Sequence, residues 1–256
     1  MSDWNAAQYL KFEKERTQPA LDLAARLPRQ GPARLLDIGC GPGNSTVLLA
    51  DRYPGAEVLG VDSSADMIAR ARADHPTLSF RLLDAGSELP SLGGGFDVVF
   101  SNACIQWIPD HPRLLRQMME QLRPGGTLAV QTPMNYDEPI HQIIGRLTSS
   151  GKWAGRFSQL RIFYNLRPEA YCDLLAETAV DYSLWETTYV HRLGSHEDIL
   201  EWYRGTGLRP YLSALSSADQ ETFLQDVRRE VAKAYPPRTD GAILFPFPRL
   251  FFTATK

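Results

Sequence analysis

The chain has 256 residues, 43% hydrophobic and 22% charged, a balance typical of globular proteins that excludes collagen-like, low-complexity and disordered classes. Lysine and arginine total 27 against 30 aspartate and glutamate residues, and the net charge of −3 argues against general binding to a nucleic-acid backbone. The three cysteines, Cys40, Cys104 and Cys172, lack the spacing of a zinc site, so we expect no metal. No stretch approaches the roughly 18 apolar residues of a membrane span, so we expect a cytosolic protein.

The first part of the chain is predicted to be helical and then to alternate strands with helices. Residues 3–28 show helical spacing and are predicted to form one or two helices, which Pro19 is expected to divide because proline interrupts the helical hydrogen bonds. From Arg34 to Gln131, apolar runs alternate with amphipathic stretches, which is the pattern of a mainly parallel α/β sheet. The predicted strands cover residues 34–39, 57–62, 79–84, 96–101 and 127–132. The predicted helices cover residues 44–53, 64–75 and 111–122, and Ser64 is predicted to cap the second of them.

The second half of the chain loses this alternation. Residues 134–181 favour loops and helices, residues 180–193 a long strand, and residues 195–234 further helices. Residues 242–255 are predicted to form an apolar strand, in which Pro246 and Pro248 indicate a bulge or an edge position.

A glycine-rich loop, LLDIGCGPGNST at residues 35–46, follows the first predicted strand. Gly39, Gly41 and Gly43 permit a sharp turn and a close approach of a ligand to the backbone. Their GxGxG spacing differs from the GxGxxG of dinucleotide sites, and the GK[ST] end of a triphosphate loop is missing. The loop favours a nucleoside cofactor without phosphates, although a purely structural turn is an alternative.

Acidic residues end the next two predicted strands, where ligands of open α/β sheets bind. Asp62 follows Gly43 by 19 residues and is placed to accept hydrogen bonds from both ribose hydroxyls of an adenosine. Asp84 and the Ala85 amide are placed to recognise adenine, with Met67 and Ile105 against the ring. A helix cap is the alternative interpretation of Asp84.

At these residues the sequence resembles the class I S-adenosylmethionine-dependent methyltransferases. The resemblance covers residues 34–133 and rests, in order, on LLDIGCGPGNST, GVDSSADMI, LLDA, SNACIQWIPD and LRPGGTLAVQTP. It implies a Rossmann-like sheet that is mostly parallel, with an antiparallel C-terminal strand, flanked by helices. It implies S-adenosyl-L-methionine as the cofactor, S-adenosyl-L-homocysteine as its product, and no metal. The residues assigned to the cofactor are Asp37, Gly39, Gly41, Gly43, Asp62, Ser63, Met67, Asp84, Ala85, Asn102 and Arg16.

Motifs near the two ends narrow the resemblance. MSDWNAAQYL, ACIQWIPDH, WETTYVHRL, TGLRPYL and FPRLF together resemble the trans-aconitate 2-methyltransferase family from Met1 to Phe251. This resemblance implies that a carboxylate of trans-aconitate becomes a monomethyl ester. It also implies a single methyltransferase domain over residues 1–256, made of a helical cap at 1–30, a cofactor-binding core at 31–133, a helical insertion at 134–181, and C-terminal strands with intervening helices at 182–256.

The implied chemistry needs no general base. A carboxylic acid with a pKa of about 4 is ionised at neutral pH, so positioning and desolvation are expected to supply the catalysis. The other carboxylates of the substrate need cationic partners, and arginine binds carboxylates bidentately. Arg209 and Arg249 are therefore predicted to bind substrate, and Arg16 either substrate or the cofactor carboxylate, with a surface salt bridge as the alternative.

Three further residues are predicted at the acceptor site. Tyr9 is expected to close over the cofactor and Trp107 to wall the acceptor, unless both are core aromatics. His111 is expected either to hydrogen-bond the substrate or only to begin a helix.

The sequence leaves three alternative functions open. Methylation of a different small carboxylate, or of an oxygen or nitrogen acceptor, is the first alternative. A nicotinamide-dependent dehydrogenase and a non-catalytic S-adenosylmethionine-binding protein are the others. The expected partner is a small polycarboxylate, with no nucleic acid and no membrane, for a monomer or weak homo-oligomer.

Overall fold

A computed structural model describes residues 13–29, 31–157, 163–205 and 207–256, and the side chains of all of these except 13–16. Within this part of the chain the strands are β1 (Arg34–Ile38), β2 (Glu57–Asp62), β3 (Ser79–Leu82), β4 (Phe96–Asn102), β5 (Leu122–Pro133), β6 (Asp181–Leu193) and β7 (Ile243–Thr255). They form one sheet of seven strands in the order β3-β2-β1-β4-β5-β7-β6. The α/β prediction is confirmed.

The first five strands are parallel. Leu36 pairs with Leu59 of β2, and β1 also pairs in parallel with β4. The end of β7 runs against the start of β5, since the Lys256 amide donates to Gly126 and the Gly125 amide donates to Lys256. The predicted antiparallel C-terminal strand is therefore β7.

Helices and short turns connect the strands. The α-helices are α1 (Glu13–Ala24), α2 (Asn44–Arg52), α3 (Ala65–Asp74), α4 (His111–Gln121), α5 (Pro139–Ser149), α6 (Pro168–Thr178), α7 (His196–Arg204), α8 (Arg209–Ser213) and α9 (Ser217–Ala234). Ser64 caps α3 as predicted, because its hydroxyl accepts a hydrogen bond from the Met67 amide. The strongly amphipathic α4 buries Leu114, Leu115 and Met118.

The central strands are buried because both faces of the sheet are covered. Leu36 of β1, Val99 of β4 and Ala129 of β5 are 0% exposed, and their neighbours along each strand are also buried. Full burial of a leucine or valine side chain contributes about 1.5–3 kcal/mol. The near-continuous apolar runs of the sequence reflect this two-sided burial.

Pro19 does not divide two helices, which corrects the prediction. It lies inside α1, where it removes one helical hydrogen bond. Ala20 and Leu23 beside it are 3% and 0% exposed. Burial of this face offsets a cost of about 3 kcal/mol for an interior proline.

Pro246 and Pro248 do not mark an edge strand, because β7 lies between β5 and β6. The Pro248 carbonyl accepts from Met134, one residue after β5 ends at Pro133. Both prolines thus lie at or past the end of β5, where a missing amide breaks no bond to that strand.

The chain divides into two compact units. The first combines residues within Met1–Pro133, Tyr164–Thr187 and Leu250–Lys256, and the second combines Met134–Phe163 with Thr188–Arg249. These boundaries differ from those of the predicted segments, which include an insertion at 134–181, and a single domain stays a prediction. Among the helices described here, none combines the length and the apolar character that crossing a bilayer requires.

Candidate functional site

The glycine loop joins β1 to α2 at the carboxyl edge of the sheet. Gly39, Gly41 and Gly43 have φ angles of 73°, 54° and 101°, in the left-handed region that favours glycine. The Gly39 and Cys40 amides both donate to the Val61 carbonyl of β2, at 2.8 and 3.0 Å. The prediction of a sharp turn at this loop is confirmed.

The three glycines face different surroundings. A Cβ on Gly39 would lie 2.2 Å from the Cys104 Sγ, and one on Gly43 would lie 2.8 Å from the His75 ring. A Cβ on Gly41 would meet no atom within 4 Å. Packing explains Gly39 and Gly43, whereas Gly41 borders open space that fits a ligand lying against the backbone.

Asp37 is completely buried beneath this loop. Its Oδ2 accepts hydrogen bonds from the Ser45 and Thr46 hydroxyls, both at 2.7 Å, which attaches the start of α2 to β1. Burial raises the pKa of Asp37 to about 6, despite these two bonds. Its observed contacts shape the loop, and a direct contact with the cofactor stays a prediction.

Asp62, at the end of β2, faces the same loop. Its Oδ2 accepts from the Gly41 amide at 2.9 Å, and its Oδ1 accepts from the Ser64 amide at 2.8 Å. Burial raises the pKa of Asp62 above its usual value, although the backbone amides oppose this shift. Ser63 is a third backbone donor to Asp62, so of the roughly four acceptor positions of a carboxylate about one stays open toward a ribose hydroxyl. Ser63 beside it is exposed.

Asp84 follows β3 and closes the next turn. Its carboxylate accepts from the Gly86 amide at 2.8 Å and from the Ser87 hydroxyl at 3.2 Å. These bonds close a turn rather than cap a helix, since the next short helix begins at Leu89 with Glu88 before it. Recognition of adenine stays a prediction for the exposed Asp84. Ala85, Met67 and Ile105 are 6%, 4% and 0% exposed, so Ile105 presents no open surface to a ring.

Negative charge accumulates near the loop. Burial raises the pKa of the Cys104 thiol, and the charges of Asp62, Asp37 and Asp84 raise it further. The three carboxylates therefore create a negative electrostatic potential at Cys104, beside Gly39. A negative potential favours a cationic ligand such as a sulfonium.

Asn102 and Trp107 lie on either side of the turn that follows β4. Asn102 ends β4, and its buried Oδ1 has no hydrogen-bond partner among the described residues. A buried unpaired acceptor at the edge of a site is a position for a ligand donor. Trp107 is half-buried and ends a short 3-10 turn, Ile105–Trp107.

His111 is not available to a substrate, which favours the alternative interpretation of this residue. It begins α4 and is 1% exposed. Its Nε2 donates to the Ile105 carbonyl at 2.9 Å, and its Nδ1 accepts from the Tyr171 hydroxyl at 2.6 Å. Burial lowers the pKa of His111, which keeps the ring neutral. The prediction that His111 binds substrate is corrected, because both ring nitrogens are used within the fold.

The second unit contains both predicted substrate arginines within the described residues. Arg249 is 4% exposed, with its guanidinium 4.7 Å from the Phe247 ring centre and 5.9 Å from that of Tyr189. The surface alternative does not apply to Arg249. Arg209 is half-buried at the first position of α8.

A buried polar cluster near Arg249 was missed by the sequence analysis. The Tyr203 hydroxyl accepts from Asn135 Nδ2 at 3.0 Å and lies 3.0 Å from His141 Nε2. Burial is the largest reason that the pKa of Tyr203 is well above its ordinary value, and the Arg249 charge acts in the opposite direction. Tyr203 lies more than 60 positions after Asn135 and His141, and the residues share no motif, so no local signal joins them.

Two predicted site residues, Tyr9 and Arg16, have side chains outside the described part of the chain. Tyr9 lies outside the described residues, and Arg16 is in α1 but its side chain is not among those described. Among the side chains that the structure does describe, no group of three His, Cys, Asp or Glu residues has the arrangement of a metal site.

Comparison with solved structures supports the fold. YcgJ from Bacillus subtilis matches with a TM-score of 0.60 and 15% identity, covering 93% of this chain and 98% of that one. Phosphoethanolamine N-methyltransferase 2 of Haemonchus contortus, solved in complex with S-adenosyl-L-methionine, matches with a TM-score of 0.53 and 21% identity, covering 93% of this chain and 52% of the other. At these identities the likeness concerns the fold.

Comparison of sequences reaches further. A family described as "Methyltransferase domain" matches residues 35–126. The trans-aconitate 2-methyltransferase of Methylobacterium radiotolerans is 45% identical over 260 residues, covering 100% of this chain and 99% of the relative. That of Azoarcus sp. is 46% identical over 257 residues, covering 100% of both. The chain therefore belongs to the trans-aconitate 2-methyltransferase family.

Proposed function

We propose that this chain transfers the methyl group of S-adenosyl-L-methionine to a carboxylate of trans-aconitate and releases a monomethyl ester. The observation that carries the acceptor is the full-length similarity to relatives named for this reaction, at 45% and 46% identity. The open space at Gly41 and the surrounding carboxylates support a cationic nucleoside cofactor.

The proposed reaction is an in-line displacement. The cofactor supplies an electrophilic methyl group on a sulfonium cation, and the substrate carboxylate is the nucleophile. The two charges neutralise each other as the bond forms, so removing water from around both accelerates transfer. Because the carboxylate is already ionised, the protein needs to position it rather than to deprotonate it.

The first unit is proposed to hold the cofactor. Asp62 would accept from the ribose hydroxyls, and Asp84 with the Ala85 amide would bind adenine. The loop at Gly41 would contact the methionine part of the cofactor, and Arg16 would pair with the carboxylate of that part. Asn102 would lie near the sulfonium. The acceptor position of Asp62 that its three backbone amides leave open and the unpaired Oδ1 of Asn102 support these assignments.

Arg249 and Arg209 are proposed to bind the carboxylates that are not methylated. Arg249 is buried among aromatic rings, which lowers the local dielectric and strengthens a charge-assisted hydrogen bond. The polar cluster of Tyr203, Asn135 and His141 would help to orient this substrate. Tyr9 and Trp107 are proposed as apolar walls of the acceptor site.

We place this reaction in the cytosol, in a monomer or weak homo-oligomer. Cys40, Cys104 and Cys172 are all unbridged, which fits a reducing compartment.

The test measures base-labile methyl transfer from labelled S-adenosyl-L-methionine to trans-aconitate, with cis-aconitate, citrate and isocitrate alongside. A strong preference for the trans isomer is expected. Ester formation on none of these acids would refute the acceptor, and a second panel of amines and phenols would then identify a different methyl acceptor.

Arg249→Met tests the proposed substrate contact. Loss of a charge-assisted hydrogen bond of about 1.5–3 kcal/mol predicts a rise in KM for trans-aconitate of roughly 10- to 150-fold. The Kd for S-adenosyl-L-homocysteine should stay within about threefold of the wild-type value.

Arg249→Lys, which keeps the charge but not the planar fork, should give an intermediate KM. The matched control is Arg192→Met in the same unit, since Arg192 is exposed and pairs with Asp240 at 2.8 Å. An unchanged KM in both folded Arg249 variants would remove this residue from the substrate site.

A further inference from the structure

The turn after β4, residues 103–107, is held in an unfavourable backbone conformation. Ala103 has a φ angle of 53°, and among the described residues other than glycine only Asp110 shares a positive φ. Alanine in this left-handed region costs about 1–2 kcal/mol, and it has no polar side chain to compensate. Contacts from the rest of the protein must therefore hold Ala103 in place.

Gln106 provides the most direct of these contacts. Its Nε2 donates to the Ala103 carbonyl at 2.7 Å, which closes the turn on itself. The Ala103 amide donates to the Gln131 carbonyl of β5 at 2.9 Å, so both backbone groups of Ala103 are engaged. Gln106 is 2% exposed, which means that water cannot replace its hydrogen bond.

Gln106 is itself fixed from two directions. The side-chain Oε1 of Gln106 accepts from the Thr132 hydroxyl at 3.3 Å, and the backbone carbonyl of Gln106 accepts from the Tyr164 amide at 3.0 Å. Thr132 is completely buried in β5, and its one hydroxyl hydrogen is shared with the Asn165 Oδ1 at 3.2 Å. Buried contacts therefore surround the Gln106 side chain that holds Ala103.

The turn touches the candidate site on both of its sides. Cys104 packs on Gly39, since a Cβ there would lie 2.2 Å from Sγ. Asn102, directly before Ala103, presents the buried Oδ1 that has no partner among the described residues. Trp107 ends the same turn. A change at Ala103 would move all three of these residues.

We infer that Gln106 is a positioning residue for methyl transfer, which holds Ala103 in its left-handed conformation and thereby fixes Asn102 beside the cofactor and Trp107 at the acceptor site. This inference rests on the proposed function. Gln106 touches neither substrate nor cofactor and acts through the backbone of the turn.

The test replaces Gln106 by methionine, which has a similar length and no hydrogen-bonding amide. In Gln106→Met, Ala103 is free to leave the left-handed region, so kcat should fall at least tenfold. The KM for trans-aconitate, measured from initial rates, should change less than threefold. The Kd for S-adenosyl-L-homocysteine, measured by calorimetry, should also change less than threefold. The amide at position 103 should exchange with deuterium at least tenfold faster.

Two further variants separate positioning from stability. Glycine adopts a φ near +53° without strain, so adding Ala103→Gly to Gln106→Met should restore kcat at least threefold and slow the exchange at position 103. The matched control is Gln121→Met, because Gln121 is also buried and accepts from the backbone amide of the positive-φ Gly94 at 3.2 Å. It should lower stability to urea and leave kcat within twofold.

An unchanged kcat and unchanged exchange in folded Gln106→Met would overturn the inference, as would a loss of kcat that Ala103→Gly does not restore. If the wild-type protein methylates no acceptor, the proposed function fails. Exchange at position 103 then decides the part of the inference that concerns the turn: faster exchange in Gln106→Met, reversed by Ala103→Gly, supports it, and any other pattern refutes it.

Discussion

Gly39→Ala is expected to be much more destabilising than a usual glycine-to-alanine change. The new Cβ would lie 2.2 Å from the Cys104 Sγ and 2.3 Å from its Cβ, where an ordinary contact is about 3.5–4 Å. The substitution would also place alanine at a φ of 73°. The left-handed conformation costs about 1–2 kcal/mol and overpacking about 1–3 kcal/mol, so the free energy of unfolding should fall by about 2–5 kcal/mol.

Gly41→Ala is the matched control in the same loop. Its φ of 54° imposes the same kind of strain, but its Cβ would meet no atom within 4 Å, so only about 1–2 kcal/mol should be lost. The new methyl group would instead occupy the space assigned to the cofactor. Binding of S-adenosyl-L-homocysteine should therefore weaken at least tenfold in folded Gly41→Ala. Urea unfolding and calorimetry measure the two effects separately.

A double-mutant cycle with Cys104 identifies the clash. Cys104→Gly removes both atoms that the new Cβ would meet, so combined with Gly39→Ala it should recover about 1–3 kcal/mol relative to additivity. Cys104→Ala removes only the sulfur and should recover less, since its Cβ remains. Equal destabilisation by Gly39→Ala and Gly41→Ala, or the absence of coupling to Cys104→Gly, would refute the reasoning.

Further expectations concern two buried carboxylates. Asp37 has a pKa of about 6 in the folded protein against an ordinary 3.8, so the folded state retains a proton that the unfolded state releases. Its contribution to stability is greatest below pH 4 and declines as the pH rises to about 6, by about 3 kcal/mol. In urea unfolding, Asp37→Asn should therefore gain stability relative to wild type across this window, and parallel pH profiles would contradict the prediction. Asp226, 6% exposed, accepts from Trp153 Nε1 and Lys152 Nζ, both at 2.8 Å, so Asp226→Ala should cost about 3 kcal/mol in the same assay. A loss no larger than that of Asp240→Ala, at an exposed pair, would contradict this second expectation.

Local patterns were sufficient to predict the elements around the loop. The spacing of Gly39, Gly41 and Gly43 predicted a sharp turn, and their positive φ angles confirm it. Ser64 was recognised as a cap because serine before an amphipathic run has a local role. These features depend on neighbouring residues, so the sequence contains their cause.

Non-local packing decided the features that the sequence could not predict. Proline rules suggested a break at Pro19, but burial of Leu23 favours the continuous helix. Pro248 suggested an edge strand, yet its position is set by where β5 ends. The role of Gln106 depends on a left-handed alanine, and alanine gives no sequence signal for that conformation.

The connectivity of the two units has a consequence for how acceptor specificity diversifies. The second unit is built from two stretches, 134–163 and 188–249, and the first unit gains its last residues, 250–256, only afterwards. On the ribosome, neither unit can be completed before nearly the whole chain has emerged. Arg209 and Arg249 both belong to the second unit, whereas Gly41 and Asp62 belong to the first. Recombination between relatives that exchanged only residues 188–249 would move both proposed substrate arginines, but it would separate them from the stretch 134–163 with which they form one unit.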